Sequence, residues 1–255
     1  MFRFGIIITL VFIGFSVAYF HSPYLGNPHA MYLRGNCYYY GQGGFHRDFE
    51  KARHWLTKAA NAGHAKAQNN LATLYLNGWG VPENLAEAKT WFAMAATQGY
   101  EPSMYNLGSL IKETGEQGDA QEAVSWFQKA AEANYSPGQM KLGEAYRDGY
   151  GVASDSTKAF EWFAKSADQG LPEGCLAVGE LLMLGEGVEQ NKSQGLAWLM
   201  LSGNRGAVEK GRAECTEQEC KDAVKLCREL QQRIQSQPSE GSANAETVKT
   251  MLRTK

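Results

Sequence analysis

The opening stretch, MFRFGIIITLVFIGFSVAYF, is the only strongly apolar run in the 255-residue chain, and Arg3 is its single charge. A soluble helix needs a polar face for water, which this run lacks, so it predicts export rather than a buried first helix. Ser16-Val17-Ala18 offers the small residues of a signal-peptide cleavage site. The uncharged run from Phe4 to Phe20 is also at the lower limit for a membrane span. A cleaved signal peptide and an inner-membrane anchor (residues 1–20) both remain open, and both send the rest of the chain to the periplasmic side. Residues 21–29, HSPYLGNPH, read as a linker on their prolines and glycine.

Beyond this point the polar–apolar pattern repeats. Trp55, Trp91, Trp126, Trp162 and Trp198 recur at steps of 36, 35, 36 and 36. Eight residues after each stands Gly63, Gly99, Asn134, Gly170 or Gly206, residue types that accept the left-handed conformation of a helix stop. Seven residues before each stands Asp48, Asn84, Asp119, Asp155 or Asn191, types that accept hydrogen bonds from free amides at a helix start. These columns predict a second helix in each of five units, 30–64, 65–100, 101–135, 136–171 and 172–206. Small residues flank the tryptophans, which are expected to fill the core with Leu56, Phe92, Phe127, Phe163 and Leu199.

The first helix of a unit carries Leu71-Ala72, Leu107-Gly108, Leu142-Gly143 or Val178-Gly179, and Pro102, Pro137 and Pro172 stand where a helix start accepts proline. Turns such as Gly78-Trp79-Gly80-Val81 and Gly149-Tyr150-Gly151-Val152 close it. The first unit departs, with Gly35 in place of the leucine, and so does the third, whose turn is one residue short. After Gly206 the period fails. Thr216-Glu217-Gln218-Glu219 is a capping box opening an amphipathic helix over Cys220, Ala223, Val224, Cys227, Leu230 and Ile234. Residues 207–236 therefore read as a helical cap closing the array, and 237–255 as a tail with little to bury.

Helix, Gly-x-Gly-Val turn, Asx cap, Trp, Lys-Ala-Ala and Gly at this spacing resemble the Sel-one-like repeat family, relatives of the tetratricopeptide repeat. The best matches are residues 67–99 and 138–170. The resemblance implies an all-α solenoid of five helix-turn-helix repeats with a C-terminal capping helix, used as a protein-binding adaptor in bacterial envelope and signalling assemblies, and it implies no reaction. In tetratricopeptide relatives the first helices line the concave face. By that analogy Arg34, Asn70, Asn106, Lys141 and Ala177 form one column, polar and partly cationic up to Lys141. Asn69, Thr73, Asn77, Glu144 and Arg147 flank it. Such a track suits the carbonyls or carboxylate terminus of an extended peptide; a solvated face without a dedicated ligand is the competing reading.

Composition narrows the function. A net charge of -2 supplies no basic field for nucleic acid. No nucleophile elbow, P-loop or zinc-hydrolase helix appears, and Glu87, Glu122 and Glu161 read as solvated, so no catalytic residue and no cofactor are expected. The five histidines (His21, His29, His46, His54, His64) lack metal-ligand spacing with an acid beside them, so no metal is expected either. Cys220 and Cys227 are two helical turns apart, beyond disulfide reach. A bridge from Cys215 to Cys220 or Cys227 stays open beside the reading in which these cysteines pack as small apolar residues. The partner expected is a protein or peptide. A peptidoglycan- or carbohydrate-binding module, using Tyr38, Tyr40, Trp79 and Tyr150, and a cell-wall or β-lactam hydrolase are the alternatives.

Overall fold

The computed structural model describes residues 26–115 and 119–236; the expectations for residues 1–20 and 237–255 lie outside them. Twelve helices and no strand make up the described chain: α1 (Pro28–Tyr40), α2 (Phe49–Asn61), α3 (Ala65–Asn77), α4 (Leu85–Thr97), α5 (Glu101–Thr114), α6 (Asp119–Glu132), α7 (Ser136–Asp148), α8 (Ser156–Asp168), α9 (Pro172–Leu184), α10 (Lys192–Ser202), α11 (Arg205–Ala213) and α12 (Glu217–Ser236). Five helix pairs, α1/α2 to α9/α10, are the repeats of an α-solenoid. The chain divides into two compact units at Ala130, within α6.

The Asx column acts as read at four positions. Asp48, Asn84, Asp155 and Asn191 accept the backbone amides of Lys51, Glu87, Lys158 and Gln194 at 2.9–3.1 Å, while Asp119 itself opens α6. The amide of each capping residue also donates back to the first helix: Asp48 to Tyr38, Asn84 to Tyr75, Asp155 to Tyr146 and Asn191 to Leu182, at 2.8–2.9 Å. One residue thereby starts the second helix and closes the turn. Gly63, Gly99, Asn134 and Gly170 have φ between 62° and 88°, the left-handed geometry their column requires.

Four features correct the sequence reading. α1 starts at Pro28, capped by Asn27, inside the stretch read as linker. The second helix of the fifth repeat stops at Gly203, with φ 70°, rather than at Gly206, which lies within α11. That helix adds a second element to the cap, because Asn204 accepts the Ala207 amide at 3.1 Å and starts a new helix at once.

The third correction is one of register. A Cβ on Gly108, Gly143 or Gly179 would lie 2.6–2.8 Å from the side chain of Phe127, Phe163 or Leu199, and one on Gly35 2.8 Å from Leu56. Gly35 therefore belongs to the small-residue column and Arg34 to the leucine column. The extra residue is absorbed in the longer turn between Gly41 and Asp48.

The fourth concerns the tryptophans. Leu56, Phe92, Phe127, Phe163 and Leu199 are the fully buried knobs. Trp55, Trp91, Trp126 and Trp162 are only half-buried, because their step of one along the helix turns them about 100° away. Lys58, Lys129 and Lys165 hold ammonium groups over Trp55, Trp126 and Trp162, 4.9, 3.8 and 3.6 Å from the centroids, so cations cover these three indoles, while Trp91 packs against the core around Leu56 and Leu71. Trp198 alone is buried, at 4% exposure, where Arg233 of α12 lies over it.

The capping box forms as read: Thr216 and Glu219 exchange side-chain-to-amide bonds of 2.7 and 3.3 Å. α12 places Ala223 and Leu230 into the core around Phe163, Val178 and Trp198, and Arg233 pairs with Asp168.

The glycine-to-aromatic fit is testable. Gly143→Val should destabilise the protein by about 1–3 kcal/mol through overpacking against Phe163, and Phe163→Ala by about 3–5 kcal/mol through the cavity it leaves. Urea unfolding midpoints check both, and an unchanged midpoint for Gly143→Val would refute the close fit.

Candidate functional site

In the first unit the polar face of the first helices is an amide ladder. Asn70 Nδ2 donates to Asn36 Oδ1 across one repeat boundary, at 2.8 Å. Asn69 Nδ2 donates to Asn70 Oδ1 at 3.2 Å. Across the next boundary, Asn69 Oδ1 accepts from Ser103 Oγ and from Asn106 Nδ2, both at 2.9 Å. The structure thus brings Asn69, Asn70 and Asn106 together and adds Asn36 and Ser103. Asn36 was masked in the sequence by the one-residue shift of the first repeat.

Two flanking residues turn inward on their own helix. The Thr73 hydroxyl donates to the Asn69 carbonyl at 3.0 Å, and Asn77 Nδ2 to the Thr73 carbonyl at 2.9 Å. Arg34 leaves the track altogether: its guanidinium lies over Trp55, 4.6 Å from the ring centroid. What the ladder still offers is acceptors. Among the described residues, Oδ1 of Asn106 and of the exposed Asn77 have no protein partner.

The first helices of the second unit carry charge instead. Lys141 Nζ and Glu144 Oε2 pair at 2.7 Å. Arg147 Nε donates to Asp148 Oδ1 at 2.7 Å. That bond, and after it the fields of Asp148, Glu144 and Glu180, outweigh partial burial and hold the guanidinium above its ordinary value. Ala177, next in the column, is buried. Beyond it, Glu180, Met183 and Leu184 of α9, Leu199 of α10, and Ala207, Lys210, Gly211 and Glu214 line a cavity of about 150 Å³. Glu180 stands 36 residues after Glu144, so extending that column would have reached it; the missed helix α11 hid the rest.

Comparison with known proteins places this arrangement. The Sel1 repeat family matches residues 28–64, 65–100, 102–135, 136–171 and 172–206. The chain belongs to the Sel1 repeat family. A Sel1 repeat protein of Oxalobacter formigenes is 31% identical, with a TM-score of 0.64, over 71% of this chain and 74% of that one. The protective antigen c5321 of uropathogenic Escherichia coli, described as having an SLR fold, is 29% identical with a TM-score of 0.79, over 86% of this chain and 48% of that one. A component of an ERAD-associated E3 ubiquitin-protein ligase of Arabidopsis thaliana, HRD3A, is 42% identical over 55 residues, 22% of this chain; the match spans 8% of that relative's length. Sel1 repeat proteins generally mediate protein–protein interaction and are typically non-enzymatic adaptors.

In this Sel1 repeat chain the structure holds Cys37, Cys175, Cys215, Cys220 and Cys227 as free thiols. Cys215 Sγ lies 3.8 Å from the Lys192 carbonyl, while Cys220 and Cys227 pack against the core. Burial pushes the Cys175 thiol up to about 11 and raises Cys215 and Cys227, so these sulfurs are weak nucleophiles.

One polar contact near the start of the array is pH-sensitive. His64 Nδ1 accepts the Ala67 amide at 3.2 Å, capping α3. Its Nε2 is 3.4 Å from His29 Nδ1, and Tyr32 stacks on the ring at 4.5 Å. Burial first, then the fields of His29 and Lys66, hold His64 below its ordinary value. Protonation would remove the lone pair that caps the helix.

Two predictions follow from these contacts. Asn69→Ala should cost about 1–3 kcal/mol, because it strands the Ser103 and Asn106 donors, whereas the exposed Asn77→Ala should stay within about 0.5 kcal/mol; urea titration compares them. Because the folded His64 value is depressed, its contribution to stability is complete above the unfolded value of about 6.5 and is lost as pH falls through the folded one. His64→Asn keeps a capping acceptor and should flatten the stability–pH curve below about pH 6.5; an unchanged curve refutes this role.

Proposed function

We propose that the protein is an exported adaptor that binds an extended peptide or protein segment along the first helices of its repeats. The observation that carries this reading is the amide ladder of the first unit. Hydrogen bonds across two repeat boundaries hold Asn69, Asn70 and Asn106 in fixed positions, while Oδ1 of Asn106 and Asn77 remains to accept peptide N–H groups. Donors and acceptors already ordered before a ligand arrives reduce the entropy lost on binding. The charged side chains of the second unit's first helices suit an extended segment with polar or ionic side chains.

Kinship supports the reading. HRD3A is by name a component of an ERAD-associated E3 ubiquitin-protein ligase, a setting that suits a module that holds another protein. Export rests on the apolar N-terminal run, and with it the periplasm or the periplasmic face of the inner membrane is the proposed location.

A photo-cross-linking amino acid placed at Asn77 or Asn106 in the full chain tests the reading in living cells. A discrete protein adduct in the envelope fraction is expected from both positions and not from Glu122, an exposed residue of α6. Equal adducts from Glu122, or none from the two asparagines, would refute it.

A further inference from the structure

The cavity at the end of the second unit has a composition that the rest of that face lacks. Its apolar lining is Met183, Leu184, Leu199, Ala207 and Gly211, and Glu180, Lys210 and Glu214 surround it. A Cβ on Gly211 would lie 2.9 Å from Leu199 Cδ1 and 3.3 Å from Leu196 Cδ1, so the floor tolerates no extra side chain there. Leu184 is 67% exposed, the highest value among the large hydrophobic side chains described. At about 150 Å³, the space is of the size that takes a benzene-like or branched aliphatic group.

The field of Glu180 reaches Arg147 and Lys192 Nζ donates to the Glu214 carbonyl at 2.9 Å, but the charged side chains lining the cavity form no ion pair among the described residues. Lys141 is paired with Glu144, and Arg147 with Asp148. Glu180, Lys210 and Glu214, all exposed, enter no ion pair among the described residues. Among the lining side chains, two carboxylates stand against one ammonium around an apolar floor. Lys210 can donate to a peptide carbonyl.

We propose that this cavity is a socket for a partner peptide in which an aliphatic side chain is followed directly by Lys or Arg. The aliphatic group fills the floor between Met183, Leu199 and Ala207. The neighbouring cation meets Glu180 and Glu214 at the rim, where charge-assisted hydrogen bonds add orientation. This rests on the adaptor reading and specifies the chemistry that one end of its face selects.

A displayed random-peptide library selected on the full chain tests the socket, followed by affinity measurement with the enriched peptides. The expected motif is Leu, Ile or Met followed by Lys or Arg. Glu180→Lys and Glu214→Lys should each weaken binding on the order of tenfold, and the double variant should select acidic residues at that position. Ala207→Phe should fill the socket and abolish binding; the exposed Glu-to-Lys variants carry the test should it misfold, as thermal melting would reveal.

Enrichment without an aliphatic–basic pair, no enrichment at all, or binding indifferent to Glu180 and Glu214 would each overturn the socket. Binding that emerges only after residues 237–255 are deleted would overturn it too, by making the chain's own Met251-Leu252-Arg253 the occupant. Peptides lost on Asn77→Arg but not on the cavity variants would reject the socket and keep the adaptor. Failure of the in-cell cross-link would reject the adaptor whatever the library yields.

Discussion

Four of the five repeats depend on a contact between a position with no side chain and one with a large apolar one. Gly35 faces Leu56, Gly108 faces Phe127, Gly143 faces Phe163 and Gly179 faces Leu199, with no room for a methyl group between them. The absence of a Cβ lets two helices approach until the facing ring or isobutyl group is fully enclosed. Dispersion and transfer from water then act over its whole surface. Caps and turns serve this fit, because the amide that closes each turn also fixes where the second helix begins. The same knob is thereby delivered to the same hole in each of these pairs.

A backbone held this firmly has consequences for the polar surface. Asparagines on successive first helices come within hydrogen-bond distance across repeat boundaries and bond to one another, so part of the face is internal structure and part is left over. A buried amide such as Asn69 is held by the cost of leaving it unpaired, which makes it a support rather than a contact residue. The groups that remain are carbonyl oxygens in the first unit, and in the second a cavity lined by apolar side chains with Glu180 and Glu214 beside them.

Much of this was legible in the residues. Stops and starts can be read because only a few residue types tolerate left-handed backbone or cap a helix, and five copies in register multiply the signal. The misreadings share one cause. Periodicity counts along the chain, whereas packing counts turns of a helix. One extra residue in the first repeat's turn moved Arg34 out of the polar column and onto Trp55, and exposed Asn36 as the true partner of Asn70. The tryptophans, the most regular letters of the repeat, sit one step from the core position, and lysines lie over three of them. Gly206 kept the spacing of a stop while Gly203 adopted the geometry of one.

By itself, then, the sequence determined the family, the helix pairs and most of their boundaries, since those follow from local backbone preferences repeated at a fixed interval. Tertiary structure decided which polar side chains are spent on one another and which remain free. It also placed Cys215 Sγ beside the Lys192 carbonyl, and decided where apolar side chains from α9, α10 and α11 leave a space between them. These depend on distances between residues far apart in the chain, 37 positions for Asn69 and Asn106, and a shift of a single residue in one turn is enough to change them.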